Sequence, residues 1–171
     1  PLYSSAASDV YKRQNESLSG FSFGELVISA TQDVNELNKC DVLLVTVASK
    51  DFIESISKLN YQSYKGKFVS CVKGFDKNSG KLMTEILIDE FNIGSNDVFV
   101  LSGPNLSKEL GNQELTGTVI AGEDKIFVDA LCNSLKTDYF LPFSSDDRYG
   151  VELGGAMKNI YAILSLSLIH I

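Results

Sequence analysis

Three short stretches of this chain carry side chains and backbone groups that could hold or move charge. In GVELGGAMKN, Gly150 to Asn159, a helix would bring Gly154, Gly155 and Lys158 onto one stripe, because residues three and four apart share a face. Each glycine inside a helix costs about 0.8–1 kcal/mol relative to alanine, so something must approach the backbone closely there. The space suits a flat ring or a small substrate, with the Lys158 ammonium beside it and the Asn159 amide next in line. Tight helix packing with a lysine reaching out to water describes the same residues. In VKGF, Val72 to Phe75, Lys73 stands at a predicted strand end, either holding an anionic group or simply solvated. In SGPN, Ser102 to Asn105, Gly103 permits close approach, Pro104 suits a first helical turn and Asn105 can cap it. Free N–H groups there could receive a phosphate or carbonyl oxygen, although a plain strand-to-helix turn has the same composition. Taken together, three such stretches favour a site.

The elements that would position them alternate regularly. Val42 to Ala48 (VLLVTVA) reads as a buried strand, KDFIESISKLN as an amphipathic helix and KFVSCVKG as the next strand. KLMTEILIDEF follows as a helix with Leu82, Ile86 and Phe91 on one side, then Val98 to Gly103 as a strand and LSKEL as a short helix. TGTVIAG (strand), EDKIFVDALCNSL (helix), YFLPF (strand) and a helix from near Gly150 complete the order. Continuous apolar strands alternating with helices predict a parallel α/β sheet covered on both faces. In such sheets ligands bind beyond the carboxyl ends of the strands, where Ala48-Ser49, Lys73-Gly74 and Ser102–Asn105 all fall. No G-x-G-x-x-G turn follows an opening strand, so the chain reads as starting partway through a dinucleotide-binding domain.

Bulk properties narrow the function classes. The net charge of −7 argues against nucleic acid as an electrostatic partner, and no apolar run is long enough to span a membrane. Cys40, Cys71 and Cys132 lie far apart, two of them in or beside apolar runs, and read as buried reduced thiols of a cytoplasmic protein. The single histidine, His170, lies in the final LSLIHI, which together with SSAASDVYKRQ near the start looks foreign to the rest. A codon choice for DVYKRQ, GATGTGTATAAGAGACAG, has a reverse complement that translates as LSLIHI, and this DNA resembles a transposon-based sequencing adapter. Residues 1–14 and 166–171 are therefore expected to be adapter read-through, in which case histidine chemistry and a zinc site fall away. Without Asp9, Lys12 and Arg13 the net charge becomes −8.

The order and spacing of KG, SGPNLSKEL and DDRYGVELGGAMKNIYAI resemble the NAD(P)-dependent glycerol-3-phosphate dehydrogenases over most of Asn15 to Ser165. NKCDVLLVTVAS is similar to that family's strand ending in V-P-S. The resemblance implies a partial doubly wound Rossmann-like parallel sheet over 15–149, and over 150–165 the start of an α-helical substrate domain. It implies reversible reduction of dihydroxyacetone phosphate to sn-glycerol 3-phosphate for phospholipid synthesis, with NAD or NADP as cofactor. Lys158 would then be the general acid/base, and Lys73 a second cation touching substrate and cofactor. Gly103, Asn105 and Asn159 would bind substrate, and Ser107 would lie beside the nicotinamide nucleotide. A lysine at its ordinary pKa near 10.4 is a poor base, so burial or the second cation would have to lower that of Lys158.

Ala48, Leu141 and Ser107 depart from the family's commonest residues without touching the proton donor. The cofactor's glycine loop and the Asp and Arg-Asn groups of the substrate domain lie outside the matched stretch, so this chain alone is expected to be inactive. An exposed sheet edge, where the opening strands would pair, would also make it poorly soluble. A homodimer of the longer gene product is compatible with the resemblance. A β-hydroxyacid dehydrogenase relative is an alternative, but leaves SGPN and KG unexplained. A noncatalytic nucleotide-binding module is another, disfavoured by the joint presence of Lys73, Asn105 and Lys158.

Overall fold

Five of the apolar runs pair into one sheet, in the spatial order in which they occur along the chain. The computed structural model describes residues 14–15, 18–22 and 31–170. A short antiparallel pair, β1 (Gln14–Asn15) and β2 (Leu18–Ser22), stands apart from the main sheet. The sheet itself comprises β3 (Val42–Val45), β4 (Lys67–Ser70), β5 (Val98–Ser102), β6 (Thr116–Ala121) and β7 (Phe140–Ser145). Its helices are α1 (Phe52–Lys58), α2 (Met83–Asp89), α3 (Ser107–Gly111), α4 (Lys125–Leu135) and α5 (Arg148–His170).

Alternation along the strands separates two cores. Phe68 and Val98 face one layer with Phe52, Ile56, Met83, Ile86 and Leu87, whereas their neighbours Val69 and Phe99 face Val128 and Cys132 on the other. Helices α1 and α2 thus cover one face and α4 the opposite one, as continuous apolar strands require. The predicted helix face of Leu82, Ile86 and Phe91 is buried as expected.

The sheet departs from the all-parallel expectation at one joint. Strands β3, β4 and β5 run parallel, and so do β6 and β7, but β6 lies antiparallel to β5. The connection from Gly103 to Leu115 contains only the short α3, after which the chain returns antiparallel to β5. A parallel pairing needs a crossover that traverses the sheet and returns. In consequence the start of β6 lies beside the carboxyl end of β5.

Strands β3 and β4 end earlier than their apolar runs, at Val45 and Ser70. Beyond them the chain enters a 3-10 turn at Ser49–Asp51 and a bend at Gly74, whose φ of 112° is a conformation that favours glycine. Among the described residues β3 pairs only with β4, leaving an edge on which Leu44 is 45% exposed. All three cysteines are free, but Cys40 is exposed rather than buried, because it sits two residues before the sheet begins at Val42. Cys71 is half-buried and Cys132 buried. Among the described residues no helix is long and apolar enough to cross a membrane, and no cluster of metal-ligating side chains occurs. Residues 1–13 and 171 of the stretches expected to be read-through lie outside the described residues, while α5 continues as helix through Leu166–His170.

The two glycines of α5 prove unlike each other. A Cβ at Gly155 would collide with Oγ of the buried Ser102, so this glycine lets α5 lie directly on the end of β5. A Cβ at Gly154 would meet nothing within 4 Å. Gly154→Ala should therefore raise stability by up to about 1 kcal/mol through helix propensity. Gly155→Ala should lower it by about 1–2 kcal/mol through overpacking. Urea denaturation of the two variants beside the parent chain checks the opposite signs.

Candidate active site

Because β3, β4 and β5 are parallel, their carboxyl ends share one edge, and the residues just past β4 and β5 meet there. Lys73 follows β4, and its Nζ donates to the backbone carbonyl of Gly103, just past β5, at 2.6 Å. Gly103 must be glycine for a reason of packing: a Cβ there would approach the Gly117 carbonyl and the Thr118 Cα and Oγ1 at 2.9 Å each. Asn105, two residues on, donates from Nδ2 to Thr118 Oγ1 at 3.2 Å, and its Oδ1 is buried without a partner among the described residues. The antiparallel joint between β5 and β6 brings Thr118 to this turn.

Lys158 arrives on α5. Its charge reaches Lys73, whose ammonium is held below the ordinary lysine range first by burial and then by the Lys158 cation, opposed by Cys71 only where that sulfur is a thiolate, at alkaline pH. Lys158 itself is exposed. Burial pushes the neighbouring Cys71 thiol up to about 11, so that sulfur stays protonated and uncharged near neutral pH. Asn159 and Ser107 are exposed, with no side-chain hydrogen bond to another described residue. The structure therefore brings Lys73, Gly103 and Asn105 into one bonded turn and Lys158 within electrostatic range of it. It leaves Asn159 and Ser107 at the surface.

What holds α5 in this position involves residues that sequence reasoning passed over. Helix α2 has Leu82 at its N-cap, which carries no oxygen to receive the first free N–H groups. Glu85 accepts from the Leu82 N–H at 2.8 Å, and Glu152, reaching across from α5, accepts from the Thr84 N–H at 3.1 Å. Glu152 also accepts a short hydrogen bond from the Thr84 hydroxyl, and it is only 2% exposed. At the start of α5, Arg148 donates to the carbonyls of Ser95 and Val98 at 2.8 and 3.0 Å and pairs with Glu123 at 3.3 Å. Asp147 closes the first turn by accepting from the Gly150 N–H at 2.8 Å. A usable signal existed in the sequence: an acidic residue in the apolar turn VELG, together with a helix whose N-cap position is a leucine.

A mostly parallel sheet with helices on both faces, and cations gathered beyond its carboxyl edge, defines the Rossmann-like α/β class. Within that class the chain belongs to the NAD-dependent glycerol-3-phosphate dehydrogenase family: the family model described as "NAD-dependent glycerol-3-phosphate dehydrogenase N-terminus" matches residues 8–128. The chain is 39% identical over 140 residues to a glycerol-3-phosphate dehydrogenase [NAD(P)+] of Alcanivorax borkumensis, covering 81% of this chain and 40% of that protein. A Pseudomonas fluorescens protein of the same name is 36% identical over 160 residues, covering 91% and 45% respectively. The crystal structure of glycerol-3-phosphate dehydrogenase from Coxiella burnetii superposes with a TM-score of 0.72 at 28% identity, covering 85% of this chain and 44% of that one. The chain thus spans less than half the length of the relatives it matches.

Glu152 offers a test of the docking of α5. Burial raises its carboxyl above the ordinary 4.5, against the pull of the Thr84 donors. A raised carboxyl pKa means that the folded state binds the proton more tightly than the unfolded one. Its contribution is then full below about 4.5 and is lost as pH rises through the higher folded value. The stability of the parent chain relative to Glu152→Gln should accordingly fall as pH is raised from 4 to 8, measured by chemical denaturation. A relative stability that stays constant or rises with pH would contradict the assignment.

Proposed function

We propose that this chain is part of a glycerol-3-phosphate dehydrogenase whose longer gene product reversibly reduces dihydroxyacetone phosphate to sn-glycerol 3-phosphate, using NADH or NADPH. The observation that carries this reading is the convergence of Lys73, the Gly103–Asn105 turn and Lys158 at one sheet edge, in a chain of that family. Under this proposal the cofactor supplies the hydride, and the side chains bind, orient and handle the proton. Lys158 donates a proton to the ketone oxygen during reduction and takes it from the hydroxyl in reverse. Its exposed position on α5 leaves it free to reach that oxygen.

Lys73, tethered to the Gly103 carbonyl, keeps a fixed cation near the same point; that charge disfavours a second proton nearby and favours anionic groups on the ligand. Asn105 lends its amide to the ligand, and the open face beside Gly154 gives a flat ring room to lie. These features fit a nicotinamide-dependent ketone reduction: two cations for an anionic substrate, and an orphaned buried acceptor for a ligand donor. Asn159 and Ser107 belong to the proposal as substrate and nucleotide contacts respectively. So do a cytoplasmic location, a homodimer of the longer product, the read-through origin of residues 1–14 and 166–171, and the division of 15–149 from 150–165.

Two assays test the reading. The longer gene product should oxidise NADH or NADPH when dihydroxyacetone phosphate is added, and Lys158→Ala should lower kcat by about 100-fold or more, as expected for loss of a positioned acid/base. No cofactor oxidation, or an unimpaired variant, would overturn the activity and the role of Lys158 respectively. The 171-residue chain alone, spanning about two fifths of its relatives' length, should show no turnover.

A further inference from the structure

Asn105 and Thr118 carry an inference of their own, which rests on the reading above for the identity of the ligand. We infer that Thr118 is a positioning residue, fixing the Asn105 amide so that its carbonyl oxygen is what the site offers. Asn105 then reads a ligand N–H or O–H donor rather than a phosphate or carbonyl oxygen. This reverses the polarity that the SGPN turn suggests from composition alone.

The orientation follows from counting protons. Thr118 Oγ1 lies 3.1 Å from the Ser102 carbonyl, which can only accept, so the single hydroxyl proton of Thr118 is committed there. Towards Asn105 that oxygen has only lone pairs left. The Asn105 group 3.2 Å away must therefore be Nδ2, and the opposite orientation would set two acceptors against each other. Thr118 has little freedom to change this. It is 2% exposed, pairs with Pro142 of β7, and has its Oγ1 pressed against the space where a Gly103 Cβ would be. Asn105 Oδ1 is consequently directed elsewhere, shielded from solvent and without a donor among the described residues. A buried acceptor left without a partner favours any ligand that brings a donor. Two groups of the proposed reaction can do so: the hydroxyl of the substrate and the carboxamide N–H2 of the cofactor. A phosphate dianion brings only acceptors and would be repelled from this atom, leaving the phosphate to the lysines.

Two variants and two readouts decide the matter. In ¹⁵N–¹H spectra of this chain, the Asn105 side-chain amide protons should exchange slowly in the parent and in Thr118→Ser, and about tenfold or more faster in Thr118→Val, which keeps the strand shape but loses the acceptor. In the longer gene product, Thr118→Val should raise one KM by about tenfold or more while Thr118→Ser stays within about threefold of the parent. A rise confined to dihydroxyacetone phosphate assigns the donor to the substrate hydroxyl; a rise confined to NADH or NADPH assigns it to the carboxamide. The inference is overturned if Thr118→Val leaves both the spectrum and the KM values unchanged, or if Thr118→Ser fails as badly as Thr118→Val. A loss that merely tracks the fraction of folded protein, with both KM values intact, also overturns it. An inactive longer product would sink the proposed function together with the ligand identity, whereas the spectrum still decides the orientation of the amide.

Discussion

The arrangement of the candidate site depends on one buried carboxyl group, Glu152, bound to the first free donors of α2. Without it, α2 would open on a leucine and leave its Thr84 N–H without a partner in the interior, a loss of about 1–3 kcal/mol for a buried donor. The same contact fixes α5 against α2, on the face of the sheet where Phe68, Met83 and Ile86 form the larger core. From that anchor Gly155 sets the distance between α5 and β5, and Arg148 sets where the helix begins. Lys158 inherits its position from all three. A helix carrying only Lys158 and a pair of glycines would have no reason to stop over Lys73.

The second determinant is the reversal between β5 and β6. A fully parallel sheet would place the carboxyl end of β6 next to that of β5. The antiparallel joint instead places Thr116–Thr118 there, so that Thr118 packs under Gly103 and bonds both Ser102 and Asn105. The fold thus supplies the turn with a rigid floor of backbone and one hydroxyl. Sites on such supported turns keep their polar groups within narrow limits, which a proton or hydride transfer requires.

Much of this was legible in the residues themselves, and the reasons for the remainder are physical. Strands such as KFVS and VFVLS announced themselves because both of their faces are buried, and Lys73 and Gly103 stood out because they interrupt those runs at the edge where ligands bind. The pairing direction of β6 was not legible, since periodicity describes a strand's faces but not its neighbour's polarity. The Gly154-Gly155 pair looks like one feature in the sequence and is two in the structure: Gly155 answers a contact with Ser102, and Gly154 opens a surface. Glu152 escaped notice because a lone glutamate in a helix is usually solvated, and its partner lies 68 residues away. Cys40, which the apolar run after it suggests is buried, lies two residues outside the sheet and is exposed.

Lys73 and Lys158, far apart in sequence, share one electrostatic site. The most direct measurement is the titration of the Lys73 side chain, followed by ¹³C NMR at Cε, in the parent chain and in Lys158→Met. A Lys73 midpoint below the ordinary 10.5 is expected in the parent, moving upward in the variant but not fully restored, because burial persists when the second cation is gone. An unchanged midpoint would show that the two ammonium groups do not sense each other, and would contradict the site as described.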